Sequence, residues 1–342
     1  LVPAYNAAPW VEEAVSSLLG QTYSELEVIV VNDCSKDETL EKVSAIRDSR
    51  LKIFSNSENR GLIGTLNHAC AVATGDYFAR MDADDVAHPE RIEKQMKALL
   101  ADEKLSVVGT AIRFFTKEEN WGDVTTAPLV HPTQAADMRA NLPFYSSLGH
   151  GASLFRRRVF EANVGRDPWG QVAVYDPAFP HAEDYELWSR LALAGHKMRS
   201  LPEVLQEVRL HRSSVSQREN TTQLQIADRV RARWRRALGL SETGAHADTQ
   251  SALGRMSIPK DPAFLDRVEA CFEELFSANQ KTRLFDASAW EKALSARWWQ
   301  AGHSLTLEYP RLRWRVSSSR WARATDPFGL RAANLVLKTL IR

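Results

Sequence analysis

The chain has 342 residues, with 44 basic and 43 acidic side chains and a net charge of +1; 44% of residues are hydrophobic and 25% charged. That balance belongs to a soluble globular protein and excludes a disordered chain, a collagen-like fibre and a multi-pass membrane protein. No apolar run approaches the roughly 18 to 20 residues of a membrane span. Three scattered cysteines, Cys34, Cys70 and Cys271, form neither a disulfide framework nor a zinc site and fit a reducing, cytosolic compartment. The length exceeds what one core usually fills, so a large domain with an accessory region is expected.

Leu1-Val2 reads as the last piece of a buried strand that starts before the sequence does. Pro9 opens a helix with Trp10, Val11, Ala14, Val15, Leu18 and Leu19 at helical spacing. Val28 to Val31 is a continuous apolar run, as a strand covered on both faces requires. Ser35 and Asp37 offer caps for a helix whose inner face is Leu40, Val43 and Ile46. A strand over Leu51–Phe54, a helix over Gly61–Ala73, a strand over Tyr77–Met81, a helix from Pro89 to Leu100 and a strand over Val107–Phe115 follow. This alternation predicts an α/β fold with a mostly parallel sheet flanked by helices.

Residues 116–180 read as irregular and proline-rich, interrupted by a strand-like piece at Ala152–Phe155. Glu183-Asp184 opens a helix with Leu187, Trp188 and Leu191 on its apolar face. From Thr221 the pattern is mainly helical, with a small-polar stretch at Ser241–Ser251 that reads as a linker.

In a parallel sheet, ligands bind beyond the carboxyl ends of the strands. The residues there are Pro3 to Asn6, Asn32 to Ser35, Asn56 to Gly61, and Asp82-Ala83-Asp84-Asp85. Three carboxylates within four residues repel one another unless a cation neutralises them. Hard cations such as Mn²⁺ or Mg²⁺ take oxygen ligands and bridge carboxylates to diphosphates. The alternative is a solvated acidic turn before Pro89. At Glu183-Asp184 the choice lies between a capping acid complementing the helix dipole and a general base that takes a proton from a hydroxyl. His211 reaches the same rim only if its segment folds back. Asp33 could accept from the N–H groups of a base, Tyr5 could stack on that base, and Arg60 could meet a phosphate. No dinucleotide-binding turn and no P-loop is present.

In order and spacing, Pro3-Ala4-Tyr5-Asn6, Val31-Asn32-Asp33-Cys34-Ser35-Lys36-Asp37, Asn59-Arg60-Gly61, Met81-Asp82-Ala83-Asp84-Asp85, Ala182-Glu183-Asp184-Tyr185-Glu186-Leu187-Trp188 and Leu210-His211 strongly resemble the family 2 glycosyltransferases of the GT-A fold. The resemblance covers residues 1–216 and implies a Rossmann-like GT-A catalytic domain there, with a helical, basic accessory region over 217–342. It implies a metal-dependent, inverting transferase that moves a sugar from a nucleotide-diphosphate sugar, most often UDP-linked, to a hydroxyl of a glycan or lipid-linked acceptor. Such relatives commonly build bacterial surface polysaccharides. Asp33, Pro3, Tyr5 and Arg60 would line the nucleotide pocket, and Asp82 would contact the ribose or metal region. Asp84 would be the principal metal ligand, with Asp85 behind it and His211 approaching the metal or diphosphate. Asp184 would be the catalytic base, with Glu183 beside it. At His150-Gly151-Ala152-Ser153 the sequence departs from relatives, which commonly carry Pro after the His.

Among rival readings, a sugar nucleotidyltransferase would need a Gly-rich basic loop after the first strand, which Pro3 to Pro9 is not. A non-catalytic UDP- or glycan-binding module derived from the same fold is the alternative, and the intact Asp84 and Asp184 argue against it. Nucleic acid is not an expected partner, because Arg229, Arg231, Arg233, Arg235 and Arg236 accompany no recognition motif. From residue 296 onward nine basic residues face only Glu308 and Asp326, a net of +7 that leaves −6 for the rest. With Trp298, Trp299, Trp314 and Trp321, this segment reads either as a peripheral contact with the anionic inner face of the plasma membrane or as a helical face packed by its tryptophans.

Overall fold

The computed structural model describes residues 1–116, 124–161, 165–170, 172–211 and 220–323. The chain divides into two compact units: residues 1–135 with 147–223, and residues 136–146 with 224–342. The accessory unit expected at 217–342 therefore also takes in Ala136–Ser146. The 216/217 boundary itself, together with Asp326, Arg331, Lys338 and Arg342 of the basic tail, lies outside the described residues.

In the first unit, β1 (Val2–Ala4), β2 (Val28–Asn32) and β3 (Leu51–Ser55) form a parallel sheet in the order β1-β2-β3. Val28 to Val31 are at most 3% exposed, as their unbroken apolar run requires. The Leu1 amino group donates to the Ala79 carbonyl at 2.6 Å, and Met81 N–H donates to the Leu1 carbonyl at 3.1 Å. These two bonds join β1 to β4 (Tyr77–Ala79), and through it to a second sheet ordered β4-β8-β6-β11-β5. Its members are β5 (Val86–Ala87), β6 (Leu105–Thr116), β8 (Leu154–Arg156) and β11 (Lys197–Arg209), with β7 (Val124–Thr125) on β6. The long β6–β11 ladder is parallel, whereas β8, β5 and β7 pair antiparallel. β9 (Gly165–Arg166) and β10 (Val172–Ala173) make a separate hairpin.

Helix α1 (Val11–Leu19) buries Val11, Ala14, Val15 and Leu18 against Val2, Ala4, Val28 and Val30. A second cluster gathers Ile92, Met96 and Leu99 of α4 (Arg91–Ala101) with Leu105, Val108, Leu154 and Leu201. Each such fully buried side chain contributes about 1.5–3 kcal/mol. Helices α2 (Thr39–Ala45), α3 (Gly61–Val72), α6 (Arg158–Glu161) and α7 (Glu183–Leu193) complete the first unit, whereas α5 (Ala135–Asn141) belongs, past Ala135, to the second. The sequence reading assigns no element over β11, which contains Pro202. The ladder absorbs the proline with register shifts between Leu201 and Val204 and between Val204 and Gln206, where a missing N–H costs no paired bond.

The second unit is helical: α8 (Asn220–Ala237), α9 (Ala245–Gly254), α10 (Phe264–Thr282), α11 (Ala287–Glu308), α12 (Arg313–Ser318) and α13 (Arg320–Arg323). α9 occupies most of the stretch expected as a linker, its Ala247 and Leu253 buried despite the small-polar composition around them. Phe285 stacks on Trp290 at 4.4 Å, and the Asp286 carboxylate caps α11 by accepting from Ala289 N–H at 2.9 Å. Trp298, Trp299 and Trp321 are buried; the indole N–H of Trp298 donates to the Val316 carbonyl at 2.9 Å and that of Trp299 to the Ala322 carbonyl at 3.2 Å. Arg315 pairs with Asp266 and Glu269, and Arg320 with Glu273. Over the described part of the tail the tryptophans are therefore mostly core, and only Trp314 is exposed, at 80%.

Arg231 Nε donates to the Phe144 carbonyl at 2.8 Å beside Gly254, where any Cβ would overlap both atoms. Gly254→Ala is expected to destabilise the protein by about 1–3 kcal/mol through overpacking, read as a lower urea midpoint. An unchanged midpoint would show that the helix end yields freely.

Candidate active site

The acidic turn after β4 is built over two buried cations. Asp82, Asp84 and Asp85 bring carboxylate oxygens within 4.8 Å of one another. At that range each like-charged pair repels by about 3 kcal/mol in an effective dielectric of about 20. Arg80, 3% exposed, pairs with Asp82 from directly below. Arg91 is fully buried and donates to the Arg80 carbonyl at 2.6 Å and to Gln206 Oε1 at 2.7 Å. Gln206 in turn donates to Asp85 at 3.3 Å, and Arg209 N–H donates to the same carboxylate at 3.0 Å. Burial, with the neighbouring acids adding to it, holds the Asp85 carboxyl well above the ordinary range. Asp82 is also raised by burial, with Arg80 opposing, and burial pushes Arg91 down to about 9.

Asp84 is partly open. His211 Nε2 lies 2.7 Å from Asp84 Oδ2, and its ring stacks on Trp10 at 4.0 Å. The fold-back that the sequence could only pose as a condition is made by β11, whose end carries Arg209 Nε to the Asp84 carbonyl at 2.8 Å. Asp82 and Asp84 keep 40% and 27% of their side-chain surface open, so both offer hard oxygen donors. Asp85, spent on internal bonds, supports the turn.

Across the sheet edge, Asp33 is 3% exposed at the end of β2. Asn56 Nδ2 and Arg60 N–H each donate to its Oδ1 at 2.8 Å; among the described residues no hydrogen bond reaches Oδ2. Pro3 is buried within β1 in register with Val31, while Tyr5 stands half exposed just beyond it. Asn6 and Cys34, with φ of 50° and 58°, turn the two loops toward each other; Asn6 N–H donates to Ser35 Oγ at 3.0 Å and Lys36 N–H to Asn6 Oδ1 at 2.8 Å.

Glu183 and Asp184 begin α7. Glu183 is 6% exposed with His150 Nδ1 at 3.8 Å, whereas Asp184 is only half buried. Burial first, then the charge of Asp184, push the Glu183 carboxyl up to about 7. Burial also holds His150 well below its usual value, so it is neutral and the contact is no ion pair. His150 Nε2 sits 3.0 Å from the Tyr175 hydroxyl. At the neighbouring Gly151 the backbone runs close to the ion pair: a Cβ there would lie 3.0 Å from Arg80 Nη1 and 3.2 Å from oxygens of Asp82 and Asp85.

Sequence reasoning missed Arg80, Arg91, Gln206, Arg209 and Tyr175. The available signal was Arg80 itself, a cation interrupting the apolar run Tyr77–Met81 immediately before the acids.

Glu183 holds its proton more tightly folded than unfolded. Its contribution to stability is complete below pH 4.5 and is lost as pH rises through about 7. Over that window the wild-type melting temperature is expected to fall more than that of Glu183→Gln. Parallel curves in thermal melts would show that another group titrates.

Residues 1–163 match the family described as Glycosyl transferase family 2. A Haemophilus influenzae protein named as an uncharacterized glycosyltransferase is 34% identical over 241 residues, 68% of this chain and 71% of that one. The succinoglycan biosynthesis protein ExoO of Rhizobium meliloti is 33% identical over 207 residues, 57% of this chain and 56% of that one. Among solved structures, S. aureus TarS 1-349 in complex with UDP-GlcNAc is similar in fold, with a TM-score of 0.53 at 18% identity over 90% of this chain and 82% of that one. The chain therefore belongs to glycosyltransferase family 2 and is a glycosyltransferase with the GT-A fold.

Proposed function

We propose that the chain transfers a sugar from a UDP-linked donor, with inversion, to a hydroxyl of a glycan or lipid-linked acceptor in surface polysaccharide synthesis, with Mn²⁺ or Mg²⁺ as cofactor. The observation that carries this reading is the partly open Asp82–Asp84 pair, with His211 Nε2 2.7 Å from Asp84. The polysaccharide part draws on ExoO, and the UDP part on the ligand of TarS.

In this reading the uncommitted Oδ2 of Asp33 accepts from the N–H of the base, Tyr5 stacks on it, and Pro3 forms the floor. Arg60 meets the phosphates. The converging oxygens of Asp84 and Asp82, with the His211 imidazole, fit a hard divalent cation, which when bound would offset negative charge on the diphosphate. The acceptor hydroxyl gives its proton to Asp184 as its oxygen bonds to the anomeric carbon. The bond from that carbon to the diphosphate oxygen breaks, and the electron pair leaves with UDP. One displacement from the opposite face inverts the centre. Glu183, whose carboxyl burial pushes up to about 7, leaves Asp184 without a second negative charge beside it in mildly acidic solution.

The acceptor lies at an anionic, cytoplasmic membrane face in this proposal. Its support within the described tail is the exposed Trp314, next to Arg313.

Asp184→Asn is expected to lower turnover of a UDP-sugar by about 100- to 10,000-fold while calorimetric UDP affinity stays within about twofold. Full transfer by the variant would remove Asp184 from the base role. A wild type that binds UDP and transfers from no UDP-sugar would favour the binding-module alternative. Asp84→Ala is expected to lose the gain in UDP affinity that Mn²⁺ confers on the wild type; an undiminished gain would place the cation elsewhere.

A further inference from the structure

The hairpin that follows β8 carries an indole onto the nucleotide side of the site. Gly170 N–H donates to the Asp167 carbonyl at 2.9 Å, and Trp169 N–H to Asp167 Oδ1 at 3.0 Å, which fixes the turn between β9 and β10. The Trp169 ring lies against the first turn of α3 at Gly64, where a Cβ would stand 2.7 Å from both the ring and Arg60 Cβ. Only glycine leaves that slot open. Three residues further along α3, Asn67 binds both backbone groups of Tyr175, donating at 3.0 Å and accepting at 2.9 Å.

Arg60 Cζ sits 5.2 Å from the centre of the Trp169 ring. Its Nε is buried without a hydrogen-bond partner, and among the described residues no carboxylate pairs with the guanidinium. Glu58, the nearest acid in sequence, accepts instead from the Trp169 indole N–H at 3.0 Å. An arginine held by an aromatic face keeps its full charge, whereas one held by a carboxylate is already neutralised. The amide of the same arginine anchors Asp33.

We propose that Trp169 is a positioning residue of the donor site, orienting the Arg60 guanidinium toward the phosphates of a nucleoside-diphosphate sugar while leaving its charge unspent. This rests on the reading of Asp33 and Arg60 as the nucleotide wall. Trp169 acts through Arg60 and takes no part in the displacement, so its loss weakens donor binding without slowing the chemical step.

The test measures UDP affinity by calorimetry, donor KM and kcat, and melting temperature for the wild type, Trp169→Ala, Trp169→Phe, Arg60→Gln and the double variant Trp169→Ala/Arg60→Gln. Trp169→Ala is expected to raise the UDP Kd and donor KM by about 3- to 30-fold with kcat little changed, and Trp169→Phe to recover most of the loss. In the Arg60→Gln background Trp169→Ala should add nothing. Unchanged UDP affinity in Trp169→Ala, equal losses for Ala and Phe, or an undiminished further loss in the Arg60→Gln background would each overturn the proposal. The last comparison still discriminates if removing the indole loosens the hairpin. A wild type that binds no UDP would overturn the nucleotide reading itself, and this proposal with it.

Discussion

Two arginines beneath three carboxylates are the constraint on which the catalytic unit turns. Without Arg80 and Arg91 the acids of the turn after β4 could not be gathered so closely, because burial and mutual repulsion both favour their neutral forms. The cations are themselves expensive to bury, and the surrounding architecture answers that cost with hydrogen bonds: the Arg80 carbonyl and Gln206 for Arg91, and Asp82 for Arg80. β8, α4 and β11 are thereby tied to one electrostatic centre. Close approach of the loop at Gly151 is part of the same arrangement, since an added Cβ would crowd Arg80, Asp82 and Asp85.

A second buried group lies beside the first. His150, Tyr175 and Glu183 are all uncharged in mildly acidic solution, because burial penalises the ionised form of each. Asp184, the half-buried member of its pair, is the more open carboxyl at the start of α7. The contrast between Glu183 and Asp184 comes from environment alone, since both are carboxylic acids on adjacent residues.

How much of this could be read from the chain alone follows physical lines. The strands and helices of the first hundred residues were legible because buried runs and amphipathic spacing are local properties, and the rim of motifs followed from the rule for parallel sheets. Asp33 and Asp84 drew attention for the same reason, as polar residues standing just past strands, whereas Asp184 stood out only through the order of motifs. Arg80 and Arg91 were not, because a buried cation looks like a surface cation until its partners are known. β11 was hidden by Pro202, whose penalty the register shifts remove. The helix at Ala245–Gly254 was hidden by small polar residues whose burial depends on distant chain. Trp169 stood in a segment with no periodicity, and Gly64 carried its significance only through the ring that fills its place.

β11 has a further consequence. Its side chains alternate faces, and Arg209 and His211, two positions apart, both reach Asp84 because the count of residues after the irregularity between Val204 and Gln206 is what it is. An exchange of one side chain there alters packing locally. Adding or removing one residue would invert the facing of everything downstream and carry the imidazole off the rim. The segment is therefore a measuring rod, in which length matters more than composition, and its tolerance for insertion should be far lower than that of the loops around it.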